Sequence, residues 1–395
     1  MSVSAEKADL LVVGGGVLGA FHAYHALQKG LRVRLVERNA APCGATVRNF
    51  GQVVPSGLDS TWQAYGRESL RIYASLQSQA DLSVRQLGSI YIASDDEELG
   101  LIEELHAINR DNDYTSELWT ADRCRQRYPQ LRSDYCRGGL FFPEEVSVNP
   151  RLMIHRLHQW LAEQPGFEAH FNTAVIDLTV DGLGRVNAEA SDGRTFQAEK
   201  AVLCNGSEFR LLYPEMFYDS DIETVKLQML RLGSQAGVDI PGNVLTGLSI
   251  RRYESFAQCP SWNAIKAKEP ANSFAKRWGV HVLFKQEVDG SVILGDSHEY
   301  ASAEAVDDLG FDLRTDINDY FVQEGRKIFD LPNWQVESSW FGVYCQTDQP
   351  EGIYNQVIDE HIHVVTGIGG KGMTSSAGYA KSSMEKITND QASCL

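Results

Sequence analysis

The sequence predicts an α/β unit with a parallel sheet, combined with an α+β unit whose sheet is mixed or mainly antiparallel. Two observations predict the α/β unit: a strand–turn–helix–strand pattern at residues 10–37, and a second glycine-rich turn that leads into the last helix at residues 367–381. A third observation predicts the α+β unit, because residues 223–300 form a series of short apolar runs separated by turn residues.

The composition excludes several classes of protein. The chain has 395 residues, of which 43% are hydrophobic and 23% charged, as in ordinary globular proteins. Its net charge of −17 argues against nucleic-acid binding through an overall basic field. Seven cysteines without C-x-x-C spacing argue against a zinc ribbon or a disulfide framework. No stretch has the pattern of a signal peptide or a spanning helix, so we expect a cytoplasmic protein without a membrane span.

The N-terminal pattern is that of a dinucleotide-binding βαβ unit, a Rossmann-type fold. Leu10–Val13 is a short run rich in Val and Leu, typical of a strand buried on both faces. Gly14–Gly19 has the spacing G-x-G-x-x-G, and Ala20–Lys29 continues with a helical pattern. Arg32–Val36 is the second predicted strand, and it ends at Glu37, 18 positions after the last glycine of the motif. This context is far more specific than the glycines alone.

Each residue of this motif has a physical role. Gly14 allows the tight turn, Gly16 lets the backbone approach a pyrophosphate, and Gly19 lets helix and strand pack closely. The N-terminus of the helix offers free N–H groups and the positive end of its dipole to the phosphates. Glu37 can accept hydrogen bonds from an adenosine ribose.

The rest of the chain alternates between helical and extended patterns after a loop-like stretch at Pro42–Gly57. Helices are predicted at Trp62–Gln79, Glu97–Asn109, Thr120–Tyr128, Asn149–Glu163 and Asp312–Ile328, and after the glycines of Gly367–Lys381. Strands are predicted at Gly88–Ala93, Phe167–Val180, Thr195–Cys204, Thr224–Leu232, Val244–Tyr253, Gly279–Phe284, Ser291–Leu294, Trp334–Tyr344 and His361–Thr366. The α/β unit is therefore repeatedly interrupted by segments of the second unit.

Three stretches resemble a known family in the order in which the family has them. Asp9–Glu37, Ala201–Gly206 and Val365–Thr374 are similar to the D-amino-acid-oxidase-like flavoproteins, which include glycine oxidase and sarcosine oxidase. The resemblance implies FAD rather than NAD, and a glutathione-reductase-like Rossmann FAD domain interleaved with a mixed or antiparallel-sheet substrate domain. The glycine-rich turn before the last helix agrees with FAD, because it adds backbone N–H groups that could face a flavin.

The resemblance also divides the chain and assigns cofactor-binding residues. It implies that the FAD domain comprises residues 1–82, 140–222 and 326–395, and the substrate domain residues 83–139 and 223–325. The implied FAD-binding residues are Gly14, Gly16, Val17, Leu18, Gly19, Glu37, Arg38, Ala45, Thr46, Arg48, Asn49, Phe50, Gly51, Val175, Asn205, Gly206, Gly369, Gly370, Lys371, Gly372, Met373 and Thr374.

A narrower resemblance concerns the substrate. Val47–Gly51, Arg252–Phe256 and Leu294–Tyr300 are similar to a subgroup associated with phosphonate metabolism, which implies 2-aminoethylphosphonate or its N-methyl form as substrate. A dianionic substrate in an acidic protein needs a local cationic cluster, and arginine suits bidentate phosphonate contacts. The candidates for this cluster are Arg48, Arg252 and Lys371.

The resemblance implies oxidation of a C–N bond by hydride transfer to flavin N5. The resulting imine would hydrolyse to an aldehyde or oxo acid plus an amine or ammonia, and oxygen or another carrier would accept the electrons. His298 and Tyr344 are candidates for accepting the ammonium proton or shaping the pocket, and Tyr253 joins Arg252 in the same candidate set. We expect a small-molecule amine as the substrate.

Two positions depart from the family's pattern. Sarcosine-oxidase-like relatives have a carboxylate-binding lysine where this chain has Thr374, while lysine occurs earlier, as Lys371. Cys345 lies about one residue from the position at which some relatives attach the flavin, so we expect non-covalent FAD. We expect no metal site, because two histidine pairs with near-ligand spacing have no third ligand: His22 with His25, and His155 with His158.

Two alternatives remain open. The protein could be an oxidase or dehydrogenase of glycine, sarcosine or a D-amino acid. It could also be a flavin-binding subunit that docks on an electron-transfer partner and has no turnover of its own. The sequence leaves the oligomeric state, the choice of electron acceptor and the N-substituent of the substrate open.

Overall fold

The computed structural model describes residues 7–389. Its strands are β1 (Ala8–Val13), β2 (Val33–Val36), β3 (Gln52–Val53), β4 (Ser89–Ala93), β5 (Glu117–Thr120), β6 (Gly138–Phe142), β7 (Val146–Ser147), β8 (Phe167–His170), β9 (Val175–Val180), β10 (Val186–Ala190), β11 (Thr195–Leu203), β12 (Glu223–Leu232), β13 (Asn243–Leu245), β14 (Leu283–Gln286), β15 (Val292–Gly295), β16 (Glu299–Ser302), β17 (Val336–Gln346), β18 (Tyr354–Ile358) and β19 (Ile362–Thr366).

The helices are α1 (Val17–Gln28), α2 (Ser60–Gln77), α3 (Asp96–Asp111), α4 (Ala121–Arg127), α5 (Pro150–Ala162), α6 (Pro214–Tyr218), α7 (Gly247–Ile250), α8 (Trp262–Lys266), α9 (Phe274–Arg277), α10 (Thr315–Ile328) and α11 (Gly372–Asn389). Within residues 7–389, none of them combines the length and the apolar character that crossing a membrane requires.

Two large sheets confirm the predicted combination of an α/β and an α+β unit. The eight-stranded sheet has the order β18-β19-β11-β1-β2-β8, with β10 paired to β11 and β9 to β10. Its strands β19, β11, β1, β2 and β8 run parallel to one another. The nine-stranded sheet has the order β16-β12-β15-β14-β13-β4-β6-β5, with β17 on β12. It is mixed, because β13 and β4 are parallel while β12, β14, β15 and β17 pair antiparallel.

The first βαβ unit places the glycine motif at the carboxyl end of β1. Leu11 and Val12 of β1 are fully buried, because the strand lies between β11 and β2 and is covered on both faces. α1 begins at Val17, shortly after the strand ends. A Cβ on Gly19 would overlap the carbonyl oxygen of Gly14. Glycine at position 19 therefore lets α1 pack directly against the turn.

The last helix packs on α2 and fixes the second glycine-rich turn. The backbone N–H of Gly378 donates to Ser69 Oγ over 2.9 Å, and a Cβ on Gly378 would overlap the carbonyl oxygen of Tyr65. The rings of Trp62 and Tyr379 stack with their centroids 5.6 Å apart. Close approach of the two helices holds the start of α11 beside the first βαβ unit.

One predicted strand is partly wrong. We expected Val244–Tyr253 to be extended, but β13 ends at Leu245 and is followed by the short helix α7 and a turn. The reason lies outside the segment. Arg251 donates to Glu98 Oε1 over 2.8 Å and to Asp95 Oδ2 over 2.7 Å, which pulls the chain out of the sheet and against α3. Local β-propensity cannot anticipate such tertiary contacts.

Smaller differences concern the ends and number of strands. β5 precedes α4 and was missed, because its sequence has only one buried position, Trp119. The strand expected at Gly279–Phe284 begins only at Leu283, since Gly279 has φ +54° and forms a turn. β17 lies in the nine-stranded sheet, although the resemblance assigns residues 326–395 to the FAD domain. We therefore propose that residues 336–346 group with the substrate domain.

Candidate cofactor and substrate site

A cavity of about 680 Å³ lies where the carboxyl ends of β1 and β11 face the nine-stranded sheet. Residues of the glycine motif, of the turn before α11 and of β17 line it together. Every site residue that the sequence predicted lies on its wall except Arg48. Ligands of open α/β sheets bind at the carboxyl ends of the strands, so this position fits a cofactor and a substrate in one space.

The glycine motif forms an open anion-binding end of α1. Gly14 has φ +107°, and a Cβ there would overlap the carbonyl oxygen of Cys204, the residue after β11. The first turn of α1 has no acidic residue, and Gly16 at its start provides no side-chain cap. Thr46 Oγ1 accepts from the Val17 N–H over 3.0 Å, which ties the loop after β2 to this helix end. The remaining N–H groups and the dipole face the cavity and suit phosphate groups.

Glu37 has both a structural contact and room for a ligand. Its Oε2 accepts from the Gly15 N–H over 2.8 Å, and its Oε1 accepts from the backbone and side chain of Asn39, each over 2.9 Å. A carboxylate has about four acceptor positions, so one position on Oε2 is left for a hydroxyl group. Arg38 forms an ion pair with Glu208 at the rim of the same cavity. This arrangement fits the ribose end of a dinucleotide.

The second glycine-rich turn lies across the cavity from the first. Gly369 has φ +68°, and Gly370 lies beside the hydroxyl of Tyr344, which would be 3.7 Å from a Cβ at position 370. Thr374 Oγ1 accepts from the Val54 N–H over 3.2 Å. The first turn of α11 has no acidic residue, so a second helix end of positive potential faces the cavity.

Gly206, the glycine that follows β11, and Cys345 line the cavity next to each other. Cys345 Sγ donates to the carbonyl of Gly206 over 3.2 Å and lies 3.3 Å from Thr366 Oγ1. Burial raises the pKa of the Cys345 thiol, so it stays protonated at neutral pH. A neutral, hydrogen-bonded thiol is a poor nucleophile, which favours non-covalent cofactor binding. Val175 of β9 and Asn205 line the adjoining wall.

Two cationic side chains, Arg252 and Lys371, line the cavity. Arg252 Nη2 donates to Tyr300 Oη over 3.0 Å, and the guanidinium has no ion pair within 4.0 Å among residues 7–389. Lys371 Nζ lies 3.9 Å from Glu254 Oε1 and 5.2 Å from the centre of the Trp62 ring. Arg252 therefore has unused donors for an anionic group of a ligand.

Arg48 is not part of this cationic cluster. Its Nε donates to the Cys43 carbonyl over 2.8 Å, and its own carbonyl accepts from Trp340 Nε1 over 3.2 Å. These contacts direct the side chain along the loop, and Arg48 is not on the cavity wall. Sequence proximity to Asn49 and Phe50, which do line the cavity, suggested a role that the side-chain direction does not support.

Three predicted polar groups, His298, Tyr344 and Tyr253, are poor proton acceptors. His298 Nδ1 donates to the Gly279 carbonyl over 2.8 Å, and burial together with the nearby Arg252 charge lowers the pKa of His298 to about 3. Burial raises the pKa of Tyr344 and of Tyr253 well above the usual range. Both phenols are thus neutral, and they form apolar walls with a hydroxyl tip.

Sequence analysis missed His281 and Asp296, which lie on the same wall. Asp296 stands within the stretch Leu294–Tyr300, two residues before His298, in the short segment between β15 and β16. Its closeness in the sequence to the candidate His298 is the signal that could have identified it. Nothing local identifies His281, because pairing of Leu283 in β14 with Gly295 in β15 brings the two segments together.

Comparisons with known proteins identify a family and several relatives of this chain. The profile of the DAO family, described as FAD dependent oxidoreductase, matches residues 9–384. Mouse mitochondrial sarcosine dehydrogenase is 25% identical over 211 residues, which is 51% of this chain and 23% of that protein. N-methyl-L-tryptophan oxidase from Escherichia coli O157:H7 (strain EC4115 / EHEC) is 27% identical over 221 residues, or 53% of this chain and 56% of that protein.

A solved structure has the same fold. The crystal structure of glycine oxidase from Geobacillus kaustophilus matches with a TM-score of 0.73 and 16% identity, and covers 96% of this chain and 95% of that chain. The sequence matches are shorter: they span about a quarter of the sarcosine dehydrogenase and about half of the tryptophan-derivative oxidase.

Proposed function

The chain belongs to the DAO family of FAD-dependent oxidoreductases, and on this premise we propose that it oxidises the C–N bond of a small amine with an anionic group at its other end. The substrate we propose is an aminophosphonate, such as 2-aminoethylphosphonate or its N-methyl form. The supporting observation is Arg252, a cavity-lining guanidinium whose planar edge has no carboxylate partner among the residues described.

The residues present fit FAD. The two helix ends and glycine-rich turns would hold the phosphates and the flavin ring, and the free acceptor position of Glu37 would hold the ribose. Overlap of a Cβ with Cys204 at Gly14 shows that the turn is shaped for close backbone approach. FAD, when bound, supplies the two-electron acceptor for the hydrogen on the carbon beside the nitrogen.

The protein's own residues then bind and orient the amine. Arg252 and Lys371 would hold the anionic group by charge-assisted hydrogen bonds. Tyr253, Tyr344 and the buried Leu283 exclude water around the reacting carbon. Fixing one end of the substrate at Arg252 aims the other end into the cavity, and such positioning supplies much of the rate enhancement when the cofactor does the redox chemistry.

Product analysis tests the proposal. The FAD-loaded protein is incubated with 2-aminoethylphosphonate, or with β-alanine as a control of similar length that carries a carboxylate. The aldehyde formed is trapped with a hydrazine and quantified. We expect the phosphonate aldehyde to form at a much higher rate than the carboxylate one. Equal or faster conversion of β-alanine would contradict the phosphonate assignment. Runs with and without oxygen, with an artificial acceptor present, separate an oxidase from a dehydrogenase.

A second candidate is an amino-acid oxidase or dehydrogenase of the glycine or sarcosine type. The observation that favours it is that a guanidinium binds a carboxylate as readily as a phosphonate, and that the relatives above are named for carboxylate-bearing amines. Turnover of sarcosine or glycine, with none of the phosphonate amines, would select it. A flavin that no tested amine reduces would instead support a non-catalytic flavin-binding subunit.

A further inference from the structure

Three buried side chains form a polar cluster in the cavity that the function above does not use. The ligand atoms of His281, Asp296 and His298 all lie within 4.8 Å of one another, and the three residues are 5%, 8% and 7% exposed. His281 Nε2 lies 3.4 Å from Asp296 Oδ1, and the two imidazole rings stack at 5.2 Å. All three residues line the cavity.

Several atoms of this cluster have no hydrogen-bond partner. Both ring nitrogens of His281 and Oδ1 of Asp296 are unpaired among the residues described, although all are buried. Unpaired buried polar atoms are costly and therefore uncommon in folded proteins. Because these residues line the cavity, a polar group of a bound ligand could reach the unpaired atoms.

We propose that Asp296 is the catalytic residue that binds the substrate ammonium and takes its proton, with His281 as the positioning residue beside it. This inference rests on the proposed function and deepens it. The substrate would then be recognised at two poles, with Arg252 holding the anionic end and Asp296 the amine end. An amine must be neutral before the carbon beside it can lose a hydride, so the reaction needs such an acceptor.

Asp296 suits this task better than its neighbours do. Burial raises the pKa of Asp296 to about 7, against the opposing effect of the Arg252 charge, which places it near working pH. The groups that face it are His281 from the segment before β14, His298 from the segment between β15 and β16, Arg252 and Tyr253 from the turn after α7, and Tyr344 from β17. Neither imidazole competes for the proton, because burial also lowers the pKa of His281 well below its usual range.

The step balances without any further reactant. The ammonium N–H bond breaks, the proton passes to the Asp296 carboxylate to form the carboxylic acid, and the nitrogen keeps the electron pair. Nothing is oxidised or reduced in this step; oxidation of the carbon follows as the proposed function describes. The carboxylic acid returns its proton to water when the product leaves.

The same three side chains could instead hold a divalent metal, since two histidines and one carboxylate are a known ligand set. Arg252, whose charge acts on both histidines and on Asp296, weighs more against a metal than against the amine. A divalent ion would keep two positive charges beside the guanidinium, whereas the substrate ammonium brings one and gives it up with its proton. Metal analysis of the purified FAD-loaded protein separates the two: stoichiometric zinc, iron or manganese that is absent from Asp296→Asn would overturn the proposal.

The decisive test is the pH dependence of anaerobic flavin reduction by 2-aminoethylphosphonate. In the wild type, reduction at low substrate concentration should rise through about pH 7 as Asp296 loses its proton. In Asp296→Asn, the amine should reduce the flavin about 100-fold more slowly at pH 7 than in the wild type, as expected for loss of a general base. Its rate should rise only toward the pKa of the free amine and approach the wild-type rate there. A merely structural role would give no recovery at high pH.

Two further variants complete the test. Asp134→Asn changes an exposed aspartate paired with Arg132 and should match the wild type throughout. Asp296→Glu keeps a carboxylate, so its rate of flavin reduction should be lower but should still rise near neutral pH. This variant tests the inference if Asp296→Asn does not retain FAD. An unchanged rate and profile in Asp296→Asn overturns the inference. If no amine reduces the flavin of the wild type, the proposed function itself fails. This outcome is distinct from failure of the inference about Asp296, in which the wild type is active and Asp296→Asn behaves like it.

Discussion

Replacing Arg252 with alanine should weaken substrate binding strongly and leave FAD in place. The guanidinium has one hydrogen-bond partner, Tyr300, and no ion pair among the residues described, so its other donors are available to the anionic group. A charge-assisted hydrogen bond contributes about 1.5–3 kcal/mol, which corresponds to about a ten- to hundredfold rise in Kd. The lower end is expected, because Lys371 stays in the cavity as a second cation, although Glu254 partly neutralises it.

The assay is an anaerobic titration of the FAD-loaded protein with the substrate, with FAD content measured by absorbance before each run. Arg132→Ala is the matched control, since Arg132 is exposed and pairs with a nearby surface aspartate, Asp134. We expect an unchanged Kd in the control and an unchanged FAD content in both variants. Loss of FAD from Arg252→Ala with an unaltered Kd would refute the placement of Arg252 at the substrate end.

Three other predictions concern cofactor binding and stability. Gly14→Ala should abolish FAD binding or folding, because Gly14 has φ +107° and a Cβ there would overlap the carbonyl oxygen of Cys204. Retention of FAD by this variant in gel filtration would contradict the role given to the Gly14 turn. Glu37→Ala should weaken FAD affinity about tenfold without changing the preference among amines, which fluorescence titration of the FAD-free protein measures. Glu145 is buried, and burial raises its pKa to about 7 from 4.5, so the folded state binds more protons and stability falls as pH rises from about 4.5 to 7. The free energy of unfolding of Glu145→Gln should therefore exceed that of the wild type by an amount on the order of 3 kcal/mol at pH 8. This difference should disappear near pH 4, and a difference that stays constant across this pH range would be contrary to the expectation.

The two glycine-rich turns and the first strand could be predicted, because their conformation and burial depend on residues that are close together in the sequence. The turn at Gly14 and the turn at Gly369 need positive φ, and their position between a strand and a helix follows from the sequence pattern. The two glycine-rich turns that line the cavity could therefore be located before the fold was known. The strand β1 could also be predicted from the sequence, because its continuous apolar run indicates burial on both faces.

The substrate end depends on contacts between distant segments. Asp296 and His281 meet only because β14 and β15 pair in one register, and a sequence pattern does not specify that register. Arg252 reaches the cavity because Arg251 is fixed by the acidic residues at the start of α3, which include Glu98. The Arg48 side chain does not line the cavity, because its guanidinium donates to the Cys43 carbonyl. Such side-chain directions follow from tertiary structure and not from spacing.

The most direct test of the central claim is one anaerobic absorbance titration of the FAD-loaded protein. The amines compared are 2-aminoethylphosphonate, its N-methyl form, glycine, sarcosine and D-alanine. We predict that the flavin bleaches with a phosphonate amine and stays oxidised with the carboxylate amines at equal concentration. Bleaching by a carboxylate amine alone would contradict the substrate assignment and leave the family assignment intact. A protein that takes up no FAD at all would contradict the account of the cofactor site.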